Sequence, residues 1–186
     1  MRWIRKFLHR CFPEPTRPYI LTGILVLVIL LVFYGTEKVD SRSDSNSMRP
    51  ALSSGDRYFV VRNFEPKRFD IVIAANPENP EEFLIKRIVG LPGERFEMRK
   101  GVVLINGKVL LETYFFDNRG RGTGWFPQSS STSSYTIPSG RFFLLGDNRD
   151  TSLDSRHFGT FAKNSFHGKV VVVMWPPPHI KFFFRN

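Results

Sequence analysis

Three short segments carry reactive side chains that packing alone does not account for. One is Glu82 to Glu94, EFLIKRIVGLPGE. Period-2 alternation from Phe83 to Val89 puts Leu84, Lys86 and Ile88 on one face and Phe83, Ile85, Arg87 and Val89 on the other. Both faces are apolar except for one cation each. Burying an isolated cation is costly unless it gains a counter-charge or gives up its proton. Arginine keeps its charge, so Arg87 requires a carboxylate; a desolvated lysine can become a neutral amine, which makes Lys86 a possible proton acceptor. The plainer alternative has Lys86 snorkelling to water from a sheet edge.

A second segment is Gly146 to Gly159, GDNRDTSLDSRHFG, which places Asp147, Arg149, Asp150, Ser152, Asp154 and Arg156 directly after the apolar run RFFLL. Alternating acids and arginines suit an ion-pair and hydrogen-bond network. A solvated turn would leave the two arginines without a reason. The spacing is not that of a calcium loop, and the arginines would repel a cation. The third segment is Ser45-Asn46-Ser47-Met48-Arg49-Pro50, between a serine-rich stretch and the first apolar run. A hydroxyl is a poor nucleophile until a base takes its proton, so these serines do chemistry only beside a partner. In a serine-rich linker such spacing also arises from composition.

The elements that must position these residues are short and rich in Val, Ile and Phe: RYFVV, FDIVIA, EFLIKRIVG, GVVLI, KVL, RFFLL and GKVVVVMW, punctuated by Gly, Pro and Asn. Asn106-Gly107, inside Val102 to Leu111, supplies the two residues that tolerate positive φ in a type I′ hairpin turn. No stretch after Gly35 sustains a 3.6-residue apolar period, so this part is expected to be mainly β and antiparallel. Residues 115–134, dominated by Gly, Ser, Thr and Arg, are expected to form an exposed loop. The closing WPPPHIKFFFRN reads equally as an interfacial segment and as a strand end that packs Phe into the core.

The N-terminus departs from this pattern. Arg2, Arg5, Lys6, Arg10 and Arg17 precede the uncharged run Tyr19 to Tyr34, YILTGILVLVILLVFY. A basic flank before an apolar segment with no polar face is a membrane-targeting pattern, and the flank is expected to stay in the cytoplasm. The residues after it offer no close small-residue cleavage site, so an uncleaved anchor is expected. Thr36 to Asn46 reads as a linker. The predicted organisation is a basic cytoplasmic terminus at 1–18, a transmembrane anchor at 19–35, a linker at 36–46 and an extracytoplasmic β-domain at 47–186. The 186 residues carry 27 Lys and Arg against 17 Asp and Glu, a net charge of +10 that suits an anionic membrane or nucleic acid. The basic residues are spread without an aromatic-basic motif, which argues against nucleic acid. One cysteine excludes an intramolecular disulfide, and four scattered histidines do not form a metal-binding pattern, so no metal or cofactor is expected.

Taken together, the three segments resemble the bacterial type I signal peptidases, or leader peptidases. SNSMRPAL is similar to their serine box, KRIVGLPGE to their lysine box and GDNRDTSLDSRHFG to a third box, in the same order. RFDIV, Arg68 to Val72, resembles a further box in which Gly usually stands at the place of Phe69. Asn46 stands where Gly is frequent, and Ala51 where Thr is common. The resemblance implies a mainly β, antiparallel catalytic domain behind one N-terminal transmembrane helix. It implies Ser47 as nucleophile and Lys86 as general base. It assigns the oxyanion to the Ser47 backbone N–H and the Ser45 hydroxyl, and the orientation of the lysine amine to Ser152. Arg87, Asp147, Asp154 and Arg156 become an ion-pair framework. The implied substrate is a secretory preprotein bearing a signal peptide, bound as an added strand and cut after small residues of the Ala-x-Ala type. The implied location is the bacterial plasma membrane. Two alternatives stand beside this reading: a dedicated conjugative-transfer or pilin maturation protease of the same superfamily, and a non-enzymatic, membrane-anchored basic β-domain.

Overall fold

A computed structural model describes residues 17–34, 46–114, 126 and 134–183. The chain divides into two units, Met1–Glu37 and Lys38–Asn186. In the first, Arg17–Tyr34 forms an 18-residue helix, α1. Leu21, Ile24, Leu25, Val26 and Leu27 on it are all exposed. Among the described residues no helix is long and apolar enough to cross a membrane. Residues 1–16 and 35–45, and with them Ser45, lie outside the described residues.

The second unit is mainly antiparallel β. Its strands are β1 (Arg57–Val61), β2 (Ile71–Ala75), β3 (Phe83–Gly90), β4 (Arg95–Arg99), β5 (Val102–Ile105), β6 (Lys108–Val109), β7 (Tyr135–Thr136), β8 (Arg141–Leu145), β9 (Phe161–Ala162), β10 (Phe166–Trp175) and β11 (Lys181–Phe182), with a one-turn helix α2 (Ser155–Phe158) after β8. The larger sheet has the order β1-β10-β2-β3-β8-β9, with β11 added beside β10, and the smaller has the order β6-β5-β4-β7. The β5–β6 hairpin turns through Asn106 and Gly107, both at positive φ (52° and 77°), as a type I′ turn requires.

Burial explains why β2 and β3 read as continuous apolar runs. One face of the larger sheet packs Ile71, Ile73, Ile85 and Val173 against Met48, Leu52 and Tyr58. The other face packs Val72, Ala74, Leu84 and Ile88 against Phe142, Leu144 and Phe161. At the end of β3 the chain crosses to the smaller sheet, and Val89, Phe96, Met98, Val103, Ile137, Phe143 and Leu145 form a core there. Gly90 makes that approach possible, since a Cβ there would lie 2.3 Å from Ile137 Cδ1.

Two expectations need adjusting. The strand β4, RFEMR, is absent from the sequence-based set, although its charged residues alternate with Phe96 and Met98, which lie in the core. Most of 115–134 lies outside the described residues, but Phe126 is not an exposed loop position. Its N–H donates to the Met98 carbonyl at 2.9 Å, its carbonyl accepts the Met98 N–H at 2.8 Å, and its ring packs against Phe96, Tyr135 and Phe143. The closing stretch divides between its two readings: Phe183 packs on the core around Met48, whereas Trp175 and Phe182 are exposed.

Candidate active site

The antiparallel ladder between β2 and β3 sets Lys86 opposite Val72. Leu84 and Ile88, on the same face of β3, lie in the apolar cluster beneath it. Lys86 has 0% exposure, so it does not snorkel to water. Its Nζ lies 2.8 Å from Ser47 Oγ, itself 2% exposed. The serine sits in a tight turn closed by Arg49 N–H to the Asn46 carbonyl (3.2 Å) and Leu52 N–H to the Met48 carbonyl (2.9 Å). Buried Met48 and Leu52 anchor this turn in the core. The segment after β8 grips it from another side: Asn148 donates its backbone N–H to the Ser47 carbonyl at 2.9 Å and its side-chain amide to the Asn46 carbonyl at 3.3 Å.

That segment, Gly146 to Arg156, is held by the network its composition suggested. Asp154 caps α2, accepts the Gly146 N–H at 3.0 Å and receives Arg156 Nε and Nη2, each at 2.8 Å. Arg156 Nη2 also reaches the Arg149 carbonyl at 2.7 Å, and Arg149 Nε the Gly146 carbonyl at 3.0 Å. Asp147 takes Arg87 in a two-point pair, Nε to Oδ1 at 2.8 Å and Nη2 to Oδ2 at 2.6 Å. The third guanidinium nitrogen donates to the Phe69 carbonyl at 2.9 Å. Such a forked pair suits arginine's geometry.

Ser152 is folded back over Gly146. Its Oγ is buried and has no hydrogen-bond partner among the described residues. A Cβ on Gly146 would overlap it and would also press on the Ser47 carbonyl, so Ser152 and Ser47 flank the same glycine. The structure therefore brings Ser47, Lys86, Arg87, Asp147, Ser152, Asp154 and Arg156 into one region, without a direct bond from Ser152 to the amine. Ser45 is outside the described residues.

The sequence reading missed a second buried group. Glu112 pairs with Arg149 and with the Tyr114 hydroxyl. The Tyr114 ring lies 4.0 Å from the Arg87 guanidinium carbon. Burial works against the Arg87 charge, but Asp147 outweighs it and holds the group above its ordinary value. Burial likewise opposes charge on Arg149, but its neighbours Tyr114 and Glu112 outweigh it and hold the group above its ordinary value. Tyr114 is pushed well above a free phenol, chiefly by burial. An acid set in the otherwise apolar VLLETYF was the available signal for Glu112; nothing in the sequence distinguishes Asn148 from a turn former. Among the described residues no cluster of three His, Cys, Asp or Glu forms a metal site.

These arrangements can be set beside known proteins. The family model for signal peptidase, peptidase S26, matches residues 16–175. The chain is 34% identical to signal peptidase I of Bacillus caldolyticus over 90% of this chain and 93% of that protein. It is 31% identical to signal peptidase I of Streptococcus pneumoniae serotype 4 over 87% of this chain and 95% of that protein. A crystal structure of a signal peptidase I from Enterococcus faecalis V583 is 35% identical, covers 57% of this chain and 97% of its own, and superposes with a TM-score of 0.46. With the family model spanning most of its length, the chain belongs to the signal peptidase, peptidase S26, family.

Proposed function

We propose that this enzyme removes signal peptides from secretory preproteins through a Ser47/Lys86 dyad. The observation that carries the reading is the 2.8 Å approach of Lys86 Nζ to Ser47 Oγ with both groups out of water. A buried amine favours its neutral form and can accept the serine proton. Ser47 Oγ then attacks the scissile carbonyl carbon, and Lys86 takes the hydroxyl proton and passes it to the leaving amine. Water, deprotonated by the same amine, splits the ester and returns the serine. The Ser47 N–H and the Ser45 hydroxyl serve the oxyanion. The Ser152 hydroxyl is assigned to orienting the amine; its Oγ is buried beside Gly146, which also abuts the Ser47 carbonyl, and it has a hydrogen bond to spare. Arg87, Asp147, Asp154 and Arg156 hold the surrounding loop and take no part in the bond changes.

Substrate binding by strand addition is supported by the sheet. Among the described strands, Phe83–Lys86 pairs only with β2, because β8 joins β3 from Arg87 onward. The open edge ends at the dyad, so a preprotein paired there in extended form would present its scissile bond to Ser47. For the membrane, the support is the sequence pattern of a basic flank before the uncharged run Tyr19 to Tyr34. With the basic flank held in the cytoplasm, residues beyond α1 face the outside of the plasma membrane, where preproteins emerge.

The test is to incubate the detergent-solubilised full chain with a precursor bearing an Ala-x-Ala site and sequence the product's new N-terminus. A new terminus directly after the second Ala supports the reading; no cleavage, or cleavage elsewhere, overturns it.

A further inference from the structure

The stretch Pro176 to Phe183 follows β10 and lies past the segment matched by the family model, which ends at residue 175. The mechanism above gives it no task. Yet three of its side chains converge on residues 48–56, the stretch directly after Ser47. His179 Nδ1 lies 2.8 Å from Asp56 Oδ1, and the other oxygen of this buried carboxylate accepts the Ser53 N–H at 2.8 Å. Phe183 packs on the core cluster that contains Met48 and Leu52, and its N–H bonds the Val171 carbonyl at 2.8 Å. Between them, Lys181 Nζ donates to the Pro50 carbonyl at 2.9 Å and the Ala51 carbonyl at 3.2 Å.

The last contact answers a specific structural need. The turn from Asn46 to Leu52 is closed by the Arg49 N–H to the Asn46 carbonyl and the Leu52 N–H to the Met48 carbonyl, and neither of these bonds uses the Pro50 or Ala51 carbonyl. The Lys181 ammonium satisfies both of these oxygens. Ala51 has no hydroxyl with which to tie the turn to itself. Pairing of β11 with β10, at Lys181 opposite Val173, fixes the backbone that carries the ammonium.

We infer that Lys181 is a positioning residue for Ser47: the C-terminal strap caps the nucleophile turn and keeps Ser47 Oγ within reach of Lys86. This rests on the reading of Ser47 as nucleophile and adds a grip contributed by a part of the chain beyond the family's matched segment.

The experiment uses the detergent-solubilised full chain with Lys181→Met, Lys181→Arg and Ser47→Ala. Two rates are read: steady-state cleavage of an Ala-x-Ala precursor, and single-turnover acylation by p-nitrophenyl acetate, which needs no strand binding. Lys181→Met should lower kcat and the acylation rate about tenfold, the scale of one hydrogen bond from a charged donor, with KM unchanged. Its melting temperature should stay near that of the parent, since the side chain is exposed. Lys181→Arg, still a two-point donor, should recover most of both rates. Parental rates in Lys181→Met, a loss confined to KM, or an arginine variant as slow as the methionine one would overturn the strap's role. If Ser47→Ala is acylated as fast as the parent, the nucleophile assignment falls instead.

Discussion

Gly146 and Ser152 share one space: a Cβ on Gly146 would lie 2.2 Å from Ser152 Oγ and 2.7 Å from the Ser47 carbonyl oxygen. Gly146→Ala therefore forces either the hydroxyl or the nucleophile turn to move. Overpacking of this kind costs about 1–3 kcal/mol. The substitution should lower the denaturation midpoint and reduce kcat by at least about tenfold, the effect of a catalytic group displaced from its partner. A variant with parental kcat would show that the glycine is not needed to seat the site.

Ser47→Ala removes one hydroxyl and no core volume, so cleavage should vanish while the thermal unfolding curve is retained. Turnover above the uncatalysed rate would remove Ser47 from the chemistry.

The lysine makes a distinct prediction in pH. A free lysine titrates near ~10.4, and burial lowers it. If Lys86 acts as the proposed neutral base, kcat/KM should rise with pH through an acid limb well below ~10.4. Lys86→Arg keeps a cation that does not deprotonate in this range and should be inactive. An acid limb close to the free-lysine value would make the buried amine a structural cation and leave Ser47 without its base.

Arg87 and Asp147 are both almost fully buried, with side-chain exposures of 5% and 2%. Removing one leaves the other uncompensated, at a cost of about 3–5 kcal/mol. Arg87→Ala and Asp147→Ala should each lower the melting temperature and activity together. Loss of activity at full stability would move the pair from scaffold to chemistry.

Phe69 holds a positive φ of 72°, a conformation that favours glycine. Its ring meets Tyr114 edge-on at 5.2 Å, a contact worth about 0.5–1.5 kcal/mol. Phe69→Ala loses the contact and keeps the strain, whereas Phe69→Gly loses the contact and relieves it. Chemical denaturation should therefore rank alanine below glycine; the reverse order would mean that φ is not strained there.

Tyr58 is pushed up to about 12, by burial first and the Asp56 carboxylate second. An unfolded phenol ionises near ~10, so above that pH the unfolded chain loses a proton that the folded chain keeps. The contribution is complete below pH ~10 and lost as pH rises through ~12. Tyr58→Phe should flatten the alkaline fall in melting temperature; an unchanged slope would assign that fall to other groups.

Much of this molecule could be read from its residues because burial and chemistry leave different marks. Continuous apolar runs located β2, β3, β8 and β10, and adjacent Lys86 and Arg87 in one such run flagged a site before any geometry was known. The Asn106-Gly107 pair fixed a hairpin by its need for positive φ. Strand β4 was passed over because it holds only two apolar residues, Phe96 and Met98, so its alternation is brief. Contacts between distant segments were not legible at all: Asn148 on Asn46, Glu112 on Arg149 and Lys181 on Pro50 join residues separated by 102, 37 and 131 positions. Nothing local in the chain encodes which loop will face which.

If a preprotein adds as a strand beside Phe83–Lys86 as proposed, the edge has a kinetic consequence. Main-chain pairing does not distinguish an intact peptide from one already cut, so the released fragment upstream of the new carboxylate would keep its register against Phe83–Lys86. Dissociation of that fragment would then be a step that turnover must wait for, and accumulated product would compete for the same edge. Clearance of spent peptide into the bilayer would set the pace of the enzyme as much as bond cleavage does.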